Sequence, residues 1–183
     1  MSGTREPGTG SQSPPDPARA HAGRLQHVFH RPGHKAPDRA GGPPEGLAAS
    51  LVTSGGLLLA MVEDVRMREA NRPEDLRLLA DALARHNAAK EATVLKVLDR
   101  HHAAQTVVTR DRQEGTLLQG ILDRALIGRH PSDTHTLTVD GALAQMYQYL
   151  FHERRDLVPA LQRTIPAEES ESLAAAFEAI DNE

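Results

Sequence analysis

From Leu47 to Glu69 the apolar residues Leu51, Leu58, Val62 and Val65 recur at the spacing of one helical face. Gly55–Gly56 interrupts this stripe and costs roughly 2 kcal/mol of helix propensity if both glycines are interior. Asn71-Arg72-Pro73-Glu74-Asp75 marks a fresh helix start, with a capping Asn, a first-turn proline and two acids at the positive pole. A second stripe follows through Leu76, Leu79, Leu83, His86, Lys90, Val94 and Val97, to about Arg100. Asp99 to Thr106 lacks large apolar residues and is expected to contain the turn, with His101-His102 capping the negative end of the helix. The third stripe is Val107, Asp111, Leu118, Ile121, Leu122 and Ala125, ending at Gly128 before a Pro131-Ser132-Asp133 loop. A fourth helix is expected from about Val139 to Thr164, with Leu143, Met146, Leu150, Glu153, Leu157 and Leu161 on one side. Pro159 removes one of its hydrogen bonds and predicts a kink. Pro166 opens a short last helix, Ala167 to Ile180. No segment alternates with period two. The pattern predicts an all-α protein: an antiparallel up-and-down four-helix bundle with a short extra C-terminal helix.

The bundle is expected over residues 47–181. Residues 1–46 hold 8 of the 12 prolines and 8 of the 14 glycines, without an apolar run. Such a stretch buries too little surface to offset chain entropy, so a disordered tail is expected. The tail carries six Lys/Arg against four Asp/Glu, so the body holds −6 of the net −4. That sign argues against nucleic acid as a partner. Two Tyr, three Phe and no Trp leave little for base stacking. Without cysteine there is no disulfide and no thiolate metal site. The longest apolar run, Leu57 to Val62, is far shorter than a membrane span. With no apolar signal core at the N-terminus, the expected location is cytoplasmic, with no membrane partner.

Bundle sites are built from inward-facing polar side chains, and four such residues share an angle with the apolar stripes: His86, Lys90, Asp111 and Glu153. Tyr149 lies one turn before Glu153. Any one of them alone reads as an ordinary satisfied core residue. Four on three helices predict a cluster, because burying unpartnered charge costs several kcal/mol.

Tyr149-Leu-Phe-His-Glu153-Arg-Arg-Asp-Leu-Val-Pro159-Ala-Leu161 resembles the last helix of the hemerythrin-like, or HHE cation-binding, family, which reads His-x-x-x-Glu-Glu ahead of a proline. His86-Asn-Ala-Ala-Lys90-Glu91-Ala-Thr-Val-Leu95 is similar to the family's other His-x-x-x-Glu helix, and Ile165-Pro166-Ala-Glu-Glu-Ser fits its ending. The resemblance covers about residues 47–180. It implies a pair of irons held by His, Glu and Asp side chains. Carried over by position, the first helix lacks a histidine near Ser54 or Gly55. Lys90 stands at a carboxylate position, Asp111 at a histidine position, and Tyr149 at another. His86 and Glu153 match.

Three readings of this set are open. A metal, iron by the resemblance, is held by His86, Asp111 and Glu153, with Tyr149 assisting as phenolate. Alternatively, no cofactor binds, and Lys90 supplies to Glu153 and Asp111 the positive charge that a metal would bring. In the third, the helices are rotated and these residues are partly solvated. The resemblance implies either a non-catalytic interaction or regulatory protein with a protein partner, or an iron protein in oxygen, nitric oxide or redox sensing. A further possibility is a small-molecule pocket beside Gly55–Gly56, lined by Leu58, His86, Tyr149 and Glu153.

His152 and Asp156 form a His-x-x-x-Asp pair at the edge of the stripe, read as solvated. His21, His27, His30 and His34 of the tail read as ordinary composition. Glu-x-x-His, a phosphate loop, a nucleophile elbow and His-Glu-x-x-His are all missing, so nothing supports covalent catalysis and no enzyme is expected.

Overall fold

The computed structural model describes residues 42–68, 73–127 and 133–183. The tail expected over 1–46 lies outside these residues up to residue 41, as do Pro131 and Ser132 of the expected loop, whose Asp133 instead opens a helix. The regular structure of the described residues is all helix, without a strand. Helix α1 spans Gly46–Met67 and α2 spans Pro73–Lys90, which continues through a π-helical turn, Glu91–Leu95, into α3, Lys96–Arg100. Helix α4 is Gln105–Ile127. Helix α5, Asp133–His152, runs through a second π-helical turn, Glu153–Leu157, into α6, Val158–Thr164. Helix α7, Ala167–Asp181, follows Pro166.

The apolar stripes become the core. Leu51, Leu58, Val62 and Val65 of α1 are all buried, as are Leu76, Leu79 and Leu83 of α2 and Leu143, Met146, Leu157 and Leu161 of the α5–α6 segment. Burying each such side chain contributes about 1.5–3 kcal/mol. In α4 the fully buried valine is Val108 rather than Val107. Val108 lies three residues before Asp111, on the same face. Helix α1 is long and apolar enough to cross a membrane by composition, with a mean hydropathy of 1.5 over 18 residues. Its apolar stripe is nevertheless buried against the other helices, as in a core helix.

Helix α1 runs unbroken through Gly55–Gly56. At Pro159 the helix widens: the π turn ends two residues before the proline, which has no N–H to return to the Arg155 carbonyl. The α3–α4 link, His101 to Ala104, uses left-handed backbone at His102 (φ 52°) and Ala104 (φ 50°). His101 reaches Glu169 of α7 at 3.5 Å, so its side chain joins two helices rather than capping its own. Helix α7 packs along α1 and α2, burying Phe177 completely, and Ser170 Oγ accepts the Leu47 N–H at 3.0 Å. Gly46 makes that approach possible: its φ is +53°, and a Cβ there would lie 2.5 Å from Ser170 Oγ.

The core divides in two. One apolar cluster gathers Leu58, Leu79, Leu83, Leu118, Leu143 and Met146. The other gathers Leu51, Val94, Leu98, Val108, Leu157 and Phe177. Between them every long helix changes character: Ser54 and Gly55 in α1, His86 and Lys90 in α2, Asp111 in α4, and Glu153 after α5.

Candidate functional site: a buried polar layer

All five residues expected in the polar cluster meet in this layer. His86 and Lys90 sit one turn apart on α2, so both point the same way. Lys90 is 1 % exposed, and its Nζ donates to Asp111 Oδ1 at 2.8 Å, to Glu153 Oε2 at 3.0 Å and to Tyr149 Oη. A lysine ammonium has three N–H donors. All three are used.

His86 is fully buried, with Nε2 2.8 Å from Glu153 Oε2 and Nδ1 2.7 Å from Ser54 Oγ. A carboxylate only accepts, so Nε2 carries the hydrogen of that bond, and the Ser54 hydroxyl can meet Nδ1 in either direction. The edge of the imidazole packs against Phe177, ring centroids 6.1 Å apart. Tyr149 Oη accepts from Lys90 and donates to Asn87 Oδ1 at 2.5 Å. The chain of bonds thus runs from Ser54 through His86, Glu153, Lys90 and Tyr149 to Asn87, with Asp111 branching from Lys90.

Charge in this layer follows the contacts. Burial opposes the Lys90 ammonium, but the Tyr149 oxygen, Glu153 and Asp111 outweigh it and raise its pKa above the ordinary lysine value. Burial also works against the Glu153 carboxylate; Lys90 and His86 overcome it and hold the pKa down at about 2. Asp111 goes the other way, because its burial outweighs Lys90 and pushes its pKa up. Burial raises Tyr149 well above the ordinary phenol value, so it stays a neutral hydroxyl.

Two glycines make room for this arrangement. A Cβ on Gly55 would stand 2.8 Å from Glu153 Oε1, and one on Gly115 would stand 2.9 Å from Tyr149 Oη. Gly55 therefore belongs to the layer, and its helix-propensity cost is linked to the close approach of Glu153. Ser54, Asn87 and Gly115 were not among the expected cluster. Ser54 shares the face of Leu51 and Leu58, which was a legible signal. Gly115 shares the face of Asp111 and Leu118, but a glycine offers no polar side chain to notice, and Asn87 lies only at the edge of its stripe.

The expected metal set does not form one group. Among the described residues no three His, Asp or Glu side chains come together in a way that could hold a metal ion. His86 meets Glu153, but the lysine nitrogen stands between Glu153 and Asp111. Tyr149, expected as a possible phenolate ligand, is a neutral donor to Asn87. The partly solvated alternative is also excluded, since His86, Lys90, Asp111 and Glu153 are all buried. No family model matches this chain, and comparison with curated proteins and solved structures finds no match either.

Two cavities flank the layer. One of about 760 Å³ lies between α2 and α4, with Lys90, Asp111, Gly115 and Tyr149 in its lining. The cavity beside Gly55–Gly56, about 260 Å³, includes Glu153 but not Leu58, His86 or Tyr149, contrary to the expected lining. Leu58 belongs to the first apolar cluster, His86 is enclosed within the layer, and Tyr149 faces the cavity between α2 and α4. His152 and Asp156 do not pair with each other: His152 Nδ1 lies 3.0 Å from Glu114, and Asp156 is held by Arg155 and Arg110.

Proposed function

We propose that the chain is a hemerythrin-like antiparallel four-helix bundle with an appended C-terminal helix, in which a buried ion pair stands in place of a metal, and that it acts as a non-catalytic interaction or regulatory protein. The observation that carries this reading is the Lys90 ammonium, whose donors are consumed by Asp111, Glu153 and Tyr149. A cation entering that layer would meet a fixed positive charge in a medium of low dielectric. The antiparallel arrangement is supported by paired contacts that run in opposite order. Ser54 meets His86 while Arg68 meets Asp75, Lys90 meets Asp111 while Ala80 meets Gln119, and Arg110 meets Asp156 while Glu114 meets His152.

Replacing Lys90 tests the reading. Lys90→Met leaves two buried carboxylates without their counter-ion, and breaking a buried pair this way costs about 3–5 kcal/mol. Urea unfolding at neutral pH should register that loss, and Lys90→Glu should be worse. A Lys90→Met protein as stable as the parent would remove the ion pair from the centre of the argument. Elemental analysis and a visible spectrum, on protein purified without chelator, address the metal directly. Near-stoichiometric iron with charge-transfer bands would favour the sensing alternative and overturn this one.

A further inference from the structure

We propose that the cavity beside Gly55–Gly56 is a binding site for a small hydrophobic primary amine, whose ammonium donates to Glu153 Oε1 while its apolar body lies against Leu150 and Phe151. The inference goes beyond the bundle reading and does not depend on it.

The deciding feature is the asymmetry of the Glu153 carboxylate. Both bonds it accepts, from His86 and from Lys90, fall on Oε2. No donor among the described residues reaches Oε1, and it is not one of the buried side-chain atoms left without a partner, so it keeps an opening to the cavity that Glu153 lines. Its lone pairs are free to accept from a molecule in the cavity. Oε1 points towards Gly55, 2.8 Å from where a Cβ would be, and Glu153 lines the cavity there. The Gly55–Gly56 gap thus leaves room beside this acceptor that any larger residue at 55 would fill.

The rest of the lining selects the ligand. Val52, Leu59, Leu150 and Phe151 make most of it apolar. At about 260 Å³ it is slightly smaller than the roughly 300–1,000 Å³ of drug-sized ligand sites, which suits a fragment with one polar head. Arg154 also lines the cavity, but its exposure lets water screen it.

The test uses the full chain with two matched probes, 2-phenylethylamine and 2-phenylethanol, followed by calorimetry or by shifts in an NMR spectrum. The amine should bind about tenfold more tightly than the alcohol, the size of difference expected of a charge-assisted bond over a neutral one. Gly56→Leu supplies the second arm. A Cβ at Gly56 meets nothing within 4 Å, so this variant should fold while its side chain fills the cavity. Amine affinity should fall at least tenfold in it, with the circular dichroism spectrum and melting temperature retained. Equal affinity for amine and alcohol, no amine binding at millimolar concentration, or binding untouched by Gly56→Leu would each overturn the proposal.

Discussion

Gly55 and Gly56 are neighbours in sequence and opposites in environment. A methyl group at Gly55 would stand 2.8 Å from Glu153 Oε1, whereas one at Gly56 would meet nothing within 4 Å. Both substitutions to alanine gain about 1 kcal/mol of helix propensity. At Gly55 that gain competes with displacement of a carboxylate held by two charge-assisted bonds, each about 1.5–3 kcal/mol. Gly55→Ala should therefore destabilise the protein by about 1–2 kcal/mol, and Gly56→Ala should stabilise it by about 1 kcal/mol. Urea titration of the two variants side by side checks the contrast. If Gly55→Ala proved as stabilising as its neighbour, Glu153 would not be fixed where the layer needs it.

At the scale of the elements, the link from His101 to Ala104 holds two left-handed residues that are not glycine. The helix before it ends with His102 N–H donating to Asp99 O at 3.0 Å and Ala103 N–H donating to Leu98 O at 2.9 Å, which requires a left-handed residue. Ala104 repeats that conformation with φ of 50° and no glycine to ease it. The left-handed region costs an L-residue about 1–2 kcal/mol. Glycine gives back about 0.5–1 kcal/mol through the unfolded chain. Ala104→Gly is expected to raise stability by about 0.5–1 kcal/mol, read as a higher urea midpoint at unchanged slope. A lower midpoint would mean that packing of the Ala104 methyl outweighs the backbone strain. The two π turns belong to the same scale: one begins directly after Lys90 and the other begins with Glu153, so both partners of the ion pair adjoin widened helix. Such turns inside α-helices are frequent at functional sites.

For the molecule as a whole, a charged layer between two apolar clusters ties folding to pH. The Lys90 pKa is raised in the folded state, so its contribution is complete below the ordinary value of 10.5 and is lost as pH climbs beyond it. The Glu153 pKa is lowered, so its contribution is complete above the ordinary value of 4.5 and is lost as pH falls towards about 2. Converted at 1.36 kcal/mol per unit, the acid loss from Glu153 is about 3 kcal/mol. Asp111 partly offsets it, because burial raises its pKa and protonation there favours the fold. Stability should thus be highest between pH 4.5 and 10.5 and fall on both sides. Unfolding free energies across that range check this, and Lys90→Met should flatten the alkaline limb. An alkaline limb that survives the substitution would have to arise elsewhere.

Hydrophobic spacing by itself determined that the body is helical and which faces turn inward, because a period near 3.6 residues is a local property written in consecutive side chains. It also placed His86, Lys90, Asp111 and Glu153 on those faces, and the cost of isolated buried charge made their meeting an expectation. Where local angle was the whole signal it slipped by a residue, as with Val107 for Val108. Tertiary structure alone decided who holds whom. That Lys90 reaches Asp111 and Glu153, that Gly55 exists to admit a carboxylate, and that Asn87 and Gly115 belong with Tyr149 are facts about distances between helices. A one-dimensional pattern carries the direction of each side chain. The depth and separation at which facing helices pack arise only when the whole core is assembled.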